Sequence, residues 1–197
     1  MFEQMTIDNY CEVLASNAPA PGGGSALAIV GAEACALIEM AINVTLDKLP
    51  QTDINYDYLK GELATCTRAR KHLYLLSNDD AEAYGKIVEA RKLPKNSEAE
   101  TKLRTATLQK AFHKATLVPL ELMQLCLSVL QRASTRVLAR LSKWVASDCE
   151  IGISLLKTVV NFSVKNVYGN TCFIHDENLK HSLEKQAQTA LDEAAKY

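Results

Sequence analysis

A glycine-rich segment ahead of a long apolar stretch is the first feature of this sequence that could bind a ligand. The segment reads Pro19-Ala20-Pro21-Gly22-Gly23-Gly24-Ser25, and Ser25 is expected to open the next helix. The first N–H groups of a helix lack intrahelical partners and carry partial positive charge, so a glycine backbone there can bind an anion or a carbonyl oxygen. A tight turn packed under another helix is the alternative. A phosphate loop is excluded, because no Lys follows the glycines and no strand precedes them.

Two neighbouring carboxylates form a second candidate for chemistry. Asp79 and Asp80 interrupt an apolar helical pattern near Asn78. A carboxylate in an apolar helical cleft can move protons near neutral pH, because burial raises the pKa of such a group. The alternative is that the two residues separate two helical segments or cap the second one.

Polar residues near the C-terminal third form a third candidate. Ser147 and Glu150 form a predicted capping box, so the helix dipole favours a carboxylate at Asp148 whether or not that residue binds a ligand. Asn166 and Asn170 are four residues apart and share one helix face if the helix persists. They can hydrogen-bond a ligand or cap the end of the helix.

The elements that position these residues are predicted to be helices. Apolar residues recur every three or four positions, and the few Gly and Pro residues cluster at helix ends. The pattern predicts an all-α, multi-helix bundle of five or six helices, three of them long, in a single domain over 1–197. The predicted helices cover about 6–15, 25–49, 56–93, a long segment from 97 to about 138 kinked at Pro119, 148–168 and 177–196. Thr6 is the predicted N-cap of the first, and Ser97 with Glu100 forms a predicted capping box at the start of the fourth.

Composition excludes several classes of protein. The 22 basic and 23 acidic residues give a net charge of −1, so nucleic acid is not an expected partner. The six cysteines form no C-x-x-C pair, and no metal site is expected. The apolar stretch 26–46 contains Glu33 and Glu39, each of which would cost about 2.5–3.5 kcal/mol at bilayer depth. We therefore expect a buried helix, no membrane partner, and, without a visible signal peptide, a cytoplasmic location.

Four segments in register resemble the cyclodeaminase/cyclohydrolase family. This family comprises the cyclodeaminase part of formiminotransferase-cyclodeaminase and the stand-alone bacterial methenyltetrahydrofolate cyclohydrolases. The resemblance covers nearly the whole chain. The four segments are APAPGGGSALAIVGAEACALIEMAINVTLDK, NDDAEAYGKIVEARKLPK, KATLVPLEL and VASDCEIGISLLKTVVNFSVKNVYGN.

The resemblance implies an all-helical, oligomeric protein that binds folates. It implies that Asp80 is the catalytic residue, with Tyr84 standing where the family has Phe. It also implies that a tetrahydrofolate derivative is the substrate and that no separate cofactor is needed. The residues expected to line the folate cleft are Pro21, Gly22, Gly23, Gly24, Ser25, Lys48, Ser147, Asp148, Asn166 and Asn170.

The family catalyses two related reactions. The cyclohydrolase adds water to the one-carbon bridge of 5,10-methenyltetrahydrofolate and opens it to 10-formyltetrahydrofolate; this is the function we expect. The cyclodeaminase closes a formimino group onto the neighbouring folate nitrogen and releases ammonia; this is the first alternative. The second is a non-catalytic helical oligomer of the same fold, because the chain departs from the family at 47–49 and 141–144. A homodimer with its sites at or near the interface is also expected.

Overall fold

Six α-helices dominate this computed structural model, which describes residues 2–197. No strand occurs in that range, as the apolar periodicity predicted. The helices are α1 (Ile7–Leu14), α2 (Gly23–Leu46), α3 (Ile54–Lys92), α4 (Glu98–Arg132), α5 (Ala146–Thr171) and α6 (Glu177–Ala194).

Side-chain caps fix most of the helix starts. Thr6 accepts a hydrogen bond from the backbone N–H of Asn9, and Ser97 with Glu100 forms the predicted capping box of α4. The capping box predicted at Ser147 is wrong. Helix α5 begins at Ala146 after Val145, with no side-chain cap, so Ser147 lies inside the first turn.

Helix α2 is the central element and packs against α3 and α5. Small residues permit this close packing: a Cβ at Gly31 would lie 3.3 Å from Leu73 Cδ2 on α3, and one at Gly152 on α5 would lie 2.8 Å from the Ala34 carbonyl oxygen. Glu39, within this apolar helix, is buried and pairs with Arg70 at 2.7 Å. Glu33 is exposed instead. Buried charge is therefore matched by a partner on the neighbouring helix.

Helix α2 is also long and apolar enough to cross a membrane, judged by length and composition. Of its most apolar 18-residue window, 56% is buried inside the protein. The core helix of a soluble protein meets the same criteria.

Helix α4 continues through Pro119 without a break and ends earlier than predicted. The chain after Arg132 follows a π-helical turn, Ala133–Val137, and a 3₁₀ turn, Leu138–Arg140. Arg132 donates to both carboxylate oxygens of the buried Glu62 at 2.8 Å. This ion pair ties the end of α4 to the start of α3.

Antiparallel packing brings distant parts of the chain to the same end of the bundle. Gly152, early in α5, lies against Ala34 in the middle of α2. The N–H of Ser142, just before α5, donates to Thr45 Oγ1 near the end of α2 at 3.0 Å. The start of α2 therefore meets the end of α5.

Candidate active site

A cleft of about 410 Å³ opens where the start of α2, the middle of α3 and the end of α5 meet. Helix α4 contributes one residue, Ala115. The polar and glycine positions lining the cleft are Gly22, Gly23, Gly24, Asp80, Tyr84, Lys165, Asn166, Gly169 and Asn170. The cleft is lined by residues from Pro19 to Asn170, so positions up to 151 apart in the sequence surround one space.

Asp80 is held at the first turn of α2. Its Oδ2 accepts hydrogen bonds from the backbone N–H of Ser25 at 2.8 Å and from the Ser25 hydroxyl at 2.9 Å. Burial raises the pKa of the Asp80 carboxyl above its ordinary value, and the two hydrogen bonds from Ser25 oppose that rise. A carboxyl with a raised pKa is suited to accept and return a proton.

Gly24 makes room for this carboxylate. A Cβ at Gly24 would overlap the Asp80 side chain, lying 2.6 Å from Cγ and 2.8 Å from Oδ2. A Cβ at Gly22 or Gly23 would meet nothing within 4 Å. No glycine in residues 2–197 has a positive φ. The expected conformational freedom of the glycine run is therefore not what this site uses; Gly24 is needed because Asp80 approaches so closely.

Unpaired polar groups face the same cleft. The Asn166 Nδ2 is buried and has no hydrogen-bond partner within residues 2–197, whereas Asn170 Nδ2 donates to the Ala115 carbonyl at 2.9 Å. The backbone N–H groups of Gly23 and Gly24 also make no hydrogen bond within the described part of the chain. The unpaired Asn166 donor favours a polar ligand, because a buried donor without a partner costs free energy until it is paired. The N–H groups of Gly23 and Gly24 are further donors at the start of α2.

The structure adds two residues that the sequence did not single out. Lys165 lines the cleft beside Asn166, and an isolated Lys on a helix carries no sequence signal. Tyr10 has a buried hydroxyl with no partner in 2–197. Burial and the charges of Cys11, Asp80 and Glu33 raise its pKa. Its position reflects the tertiary docking of α1, where Tyr10 contacts the Phe2 ring edge-on at 5.8 Å between centroids.

Three predicted site residues do not reach this cleft within one chain. Lys48 follows the C-terminal end of α2, about 36 Å from its start at 1.5 Å per residue. Ser147 and Asp148 lie in the first turn of α5, close to the same end of α2. The expectation that all these residues line one cleft is wrong for the single chain, because α2 and α5 are antiparallel. Pro21, the remaining predicted residue, is buried just before α2.

Comparisons with known proteins show the family of this chain. A family model described as Formiminotransferase-cyclodeaminase matches residues 6–189. The chain belongs to the formiminotransferase-cyclodeaminase family. The resemblance stated from the sequence is thereby confirmed.

Relatives within the family differ in length. A methenyltetrahydrofolate cyclohydrolase of Methylorubrum extorquens is 33% identical over 189 residues, covering 96% of this chain and 90% of that protein. The formimidoyltransferase-cyclodeaminase of Mus musculus is 29% identical over 196 residues. This chain spans only 36% of the mouse protein.

A solved structure shares the fold. The formiminotetrahydrofolate cyclodeaminase of Thermotoga maritima superposes with a TM-score of 0.81 at 27% sequence identity, covering 100% of this chain and 96% of that one. The all-α, multi-helix architecture is therefore that of a known folate enzyme. In residues 2–197 no three His, Cys, Asp or Glu side chains are grouped so as to hold a metal ion.

Proposed function

We propose that this chain is a folate one-carbon enzyme that hydrolyses 5,10-methenyltetrahydrofolate to 10-formyltetrahydrofolate. The observation that carries the proposal is the partly buried Asp80 carboxylate, which two hydrogen bonds from Ser25 fix at the wall of an open cleft. The cyclohydrolase relative, of which this chain covers 90%, supports the choice of reaction. The folate is the substrate, and the proposal requires no further cofactor.

Asp80 serves as base and then as acid in this proposal. The ionised carboxylate takes a proton from the water that attacks the bridging carbon, so a C–O bond forms and the positive charge of the methenyl group is lost. The protonated Asp80 then gives its proton to N5 as the C–N5 bond breaks. The hydroxyl proton leaves to solvent as the formyl carbonyl forms, and Asp80 returns to its ionised state.

Neighbouring groups bind the bicyclic part of the folate. The free N–H groups of Gly23 and Gly24 suit a carbonyl oxygen, and the unpaired Asn166 amide suits a ring nitrogen or carbonyl. The positive end of α2 would repel a cationic substrate by itself. Asp80, bound to that helix end, offsets this repulsion with a full negative charge.

Cyclodeamination is the second candidate, and the Thermotoga and mouse relatives favour it. The same carboxylate would take the N10 proton as N10 attacks the formimino carbon, then protonate the departing ammonia. The third possibility, a non-catalytic oligomer, was based on the departures at 47–49 and 141–144. Lys48 lies at the opposite end of α2 from Asp80, so the departure around it leaves the Asp80 cleft of the same chain intact.

We further propose that the protein is a cytoplasmic homodimer formed through the outer face of α2. That face carries Ile29, Ala36, Leu37 and Met40, which are half-buried or exposed in the single chain, and also the exposed Glu33, whose carboxylate must find a partner or stay solvated in the dimer. Pairing two α2 helices antiparallel about a two-fold axis buries this stripe. It also sets the end of each α2, with Lys48, beside the start of the other, so the second copy can complete the cleft. In this proposal the apolar face of α2 is covered by the second copy of the chain and not by lipid.

Two assays test these proposals. Purified protein is given 5,10-methenyltetrahydrofolate or 5-formiminotetrahydrofolate, with absorbance and ammonia followed in each case. Loss of methenyl absorbance without ammonia supports the cyclohydrolase, ammonia release supports the cyclodeaminase, and turnover of neither refutes both. Light scattering at micromolar concentration should give a dimer for the wild type and a monomer for Met40→Glu; a monomeric wild type contradicts the dimer.

A further inference from the structure

One face of α3 extends from Asp80 past the end of the cleft. Tyr84 and Ile87 line the cleft on the same face as Asp80, at steps of four and three residues. The next residue in this series is Arg91. Eleven residues of helix place the Cα atoms of Asp80 and Arg91 about 16 Å apart along the α3 axis. The two positions differ by only about 20° of rotation around that axis, so they lie on the same face of the helix. Arg91 is thus positioned where a long ligand bound at Asp80 would end.

Neighbouring helices continue in the same direction at the same level. Ala115 and Asn170 line the cleft beside Ile87, and one turn beyond them lie Phe112 and Phe173. These two rings stack with centroids 4.6 Å apart and an interplanar angle of 18°. The Arg91 guanidinium carbon lies 5.9 Å from each ring centroid. Three chain segments therefore meet around Arg91.

Helix α4 fixes the backbone around Phe173 through the side chain of Gln109. Gln109 Nε2 donates to the Phe173 carbonyl at 2.8 Å, and Gln109 Oε1 accepts from the His175 N–H at 2.8 Å. Phe173 nevertheless leaves 46% of its surface exposed. A fixed, exposed aromatic ring beside a cation offers a stacking surface and a charge to the same ligand.

Arg91 is exposed and forms no ion pair with a carboxylate of residues 2–197. Other arginines of the bundle do: Arg70 pairs with Glu39, and Arg132 pairs with Glu62. A guanidinium presents several fixed N–H donors that match a carboxylate in a bidentate fashion. Arg91 is thus a cation that the fold leaves available for an external anion.

We infer that Arg91 binds a glutamate carboxylate of the folate and so selects glutamate-bearing folates. This inference rests on the proposed function. A folate extends from its one-carbon bridge through a benzoyl ring to glutamate. From Asp80 the same direction leads to the Phe173 ring and the Arg91 guanidinium, which lie side by side one turn beyond the cleft. With the bridge at Asp80, the benzoyl ring lies against Phe173 and the glutamate reaches Arg91. Two cations compete with Arg91: Lys165, and Lys48 of the second copy in the proposed dimer. The Lys165 ammonium lies 5.0 Å from the Phe162 ring, toward the preceding turns of α5, and a Lys48 variant tests the other.

The test compares two substrates that differ only at the glutamate. These are 5,10-methenyltetrahydrofolate and 5,10-methenyltetrahydropteroate, which lacks the glutamate. Arg91→Ala should raise KM about tenfold for the first, the lower end expected for a lost hydrogen bond to a charged group, with kcat unchanged. KM for the pteroate should stay at the wild-type value, and Arg91→Lys should restore part of the loss. Arg68→Ala, an exposed site on α3 on the other side of Asp80, is the control for net charge.

Several outcomes would overturn the inference. Equal KM changes for both substrates would mean that Arg91 only supports the aromatic stack. An unchanged KM, or a glutamate-selective loss produced by Lys165→Ala or Lys48→Ala instead, would assign the tail elsewhere while leaving the proposed reaction intact. A wild type that turns over neither compound refutes the proposed function and this inference with it.

Discussion

Gly24→Ala tests the close contact on which the site is built. The new Cβ would overlap Asp80 Oδ1 and lie 2.6 Å from Cγ, whereas ordinary contact begins at 3.4 Å, so the carboxylate must retreat by more than about 1 Å. Moving a catalytic group by about 1 Å costs on the order of 10²-fold in rate. We therefore expect kcat to fall about 100-fold.

The same variant should lose only modest stability. Weakening the hydrogen bonds between Asp80 and Ser25 costs about 1–3 kcal/mol, and the better helix propensity of Ala returns about 0.5–1 kcal/mol. The net loss of about 1 kcal/mol lowers Tm by roughly 2–4 °C in a chain of this size. The variant therefore stays folded, and its activity can be measured.

Steady-state kinetics and thermal unfolding measured together provide the assay. Gly61→Ala is the matched control, because Gly61 is exposed on α3 and a Cβ there meets nothing within 4 Å. It should keep wild-type kcat and gain about 0.5–1 kcal/mol. If Gly24→Ala is folded and retains wild-type kcat, the position of Asp80 against α2 does not matter for turnover, and the reasoning fails.

Three further variants extend the test. Asp80→Asn should lower kcat by about 10²–10⁴-fold while remaining folded. Burial raises the pKa of Asp80, so the folded state holds its proton more tightly than the unfolded state does. The wild type should therefore lose stability relative to Asp80→Asn as pH rises from the ordinary carboxyl pKa through the raised one. Ser25→Ala removes a donor to the ionised carboxylate, so the acid limb of the kcat/KM profile should move to higher pH; an unmoved limb would contradict the assigned base. Gly152→Ala would bring a Cβ 2.8 Å from the Ala34 carbonyl oxygen and 2.9 Å from Ile38 Cγ1, and urea unfolding should show a loss of about 1–3 kcal/mol; wild-type stability would show that α2 and α5 are packed less closely than described.

Local signals in the sequence predicted most of the helices. Thr6 and the Ser97–Glu100 pair act as the caps they were expected to be, because capping depends on neighbouring residues alone. Ser147 carries the same signal and does not cap its helix. The backbone there enters α5 through the buried Val145, so tertiary packing determines the start.

The candidate site was predictable only in part. The resemblance pointed to Asp80 and the glycine run, and the structure places them in contact. The periodicity could not show that Gly24 makes room for a side chain from another helix. Nor could it show that Lys48 lies at the far end of α2, because the relative direction of two helices is a tertiary property.

A crystal structure with bound 10-formyltetrahydrofolate tests the central claim most directly. We expect the formyl group beside Asp80, with the folate N5–H donating to the carboxylate directly or the formyl oxygen linked to it through one water, and with the bicycle against Gly23 and Asn166. A folate bound away from Asp80, with the Ser25–Asp80 contact facing only solvent, would contradict it.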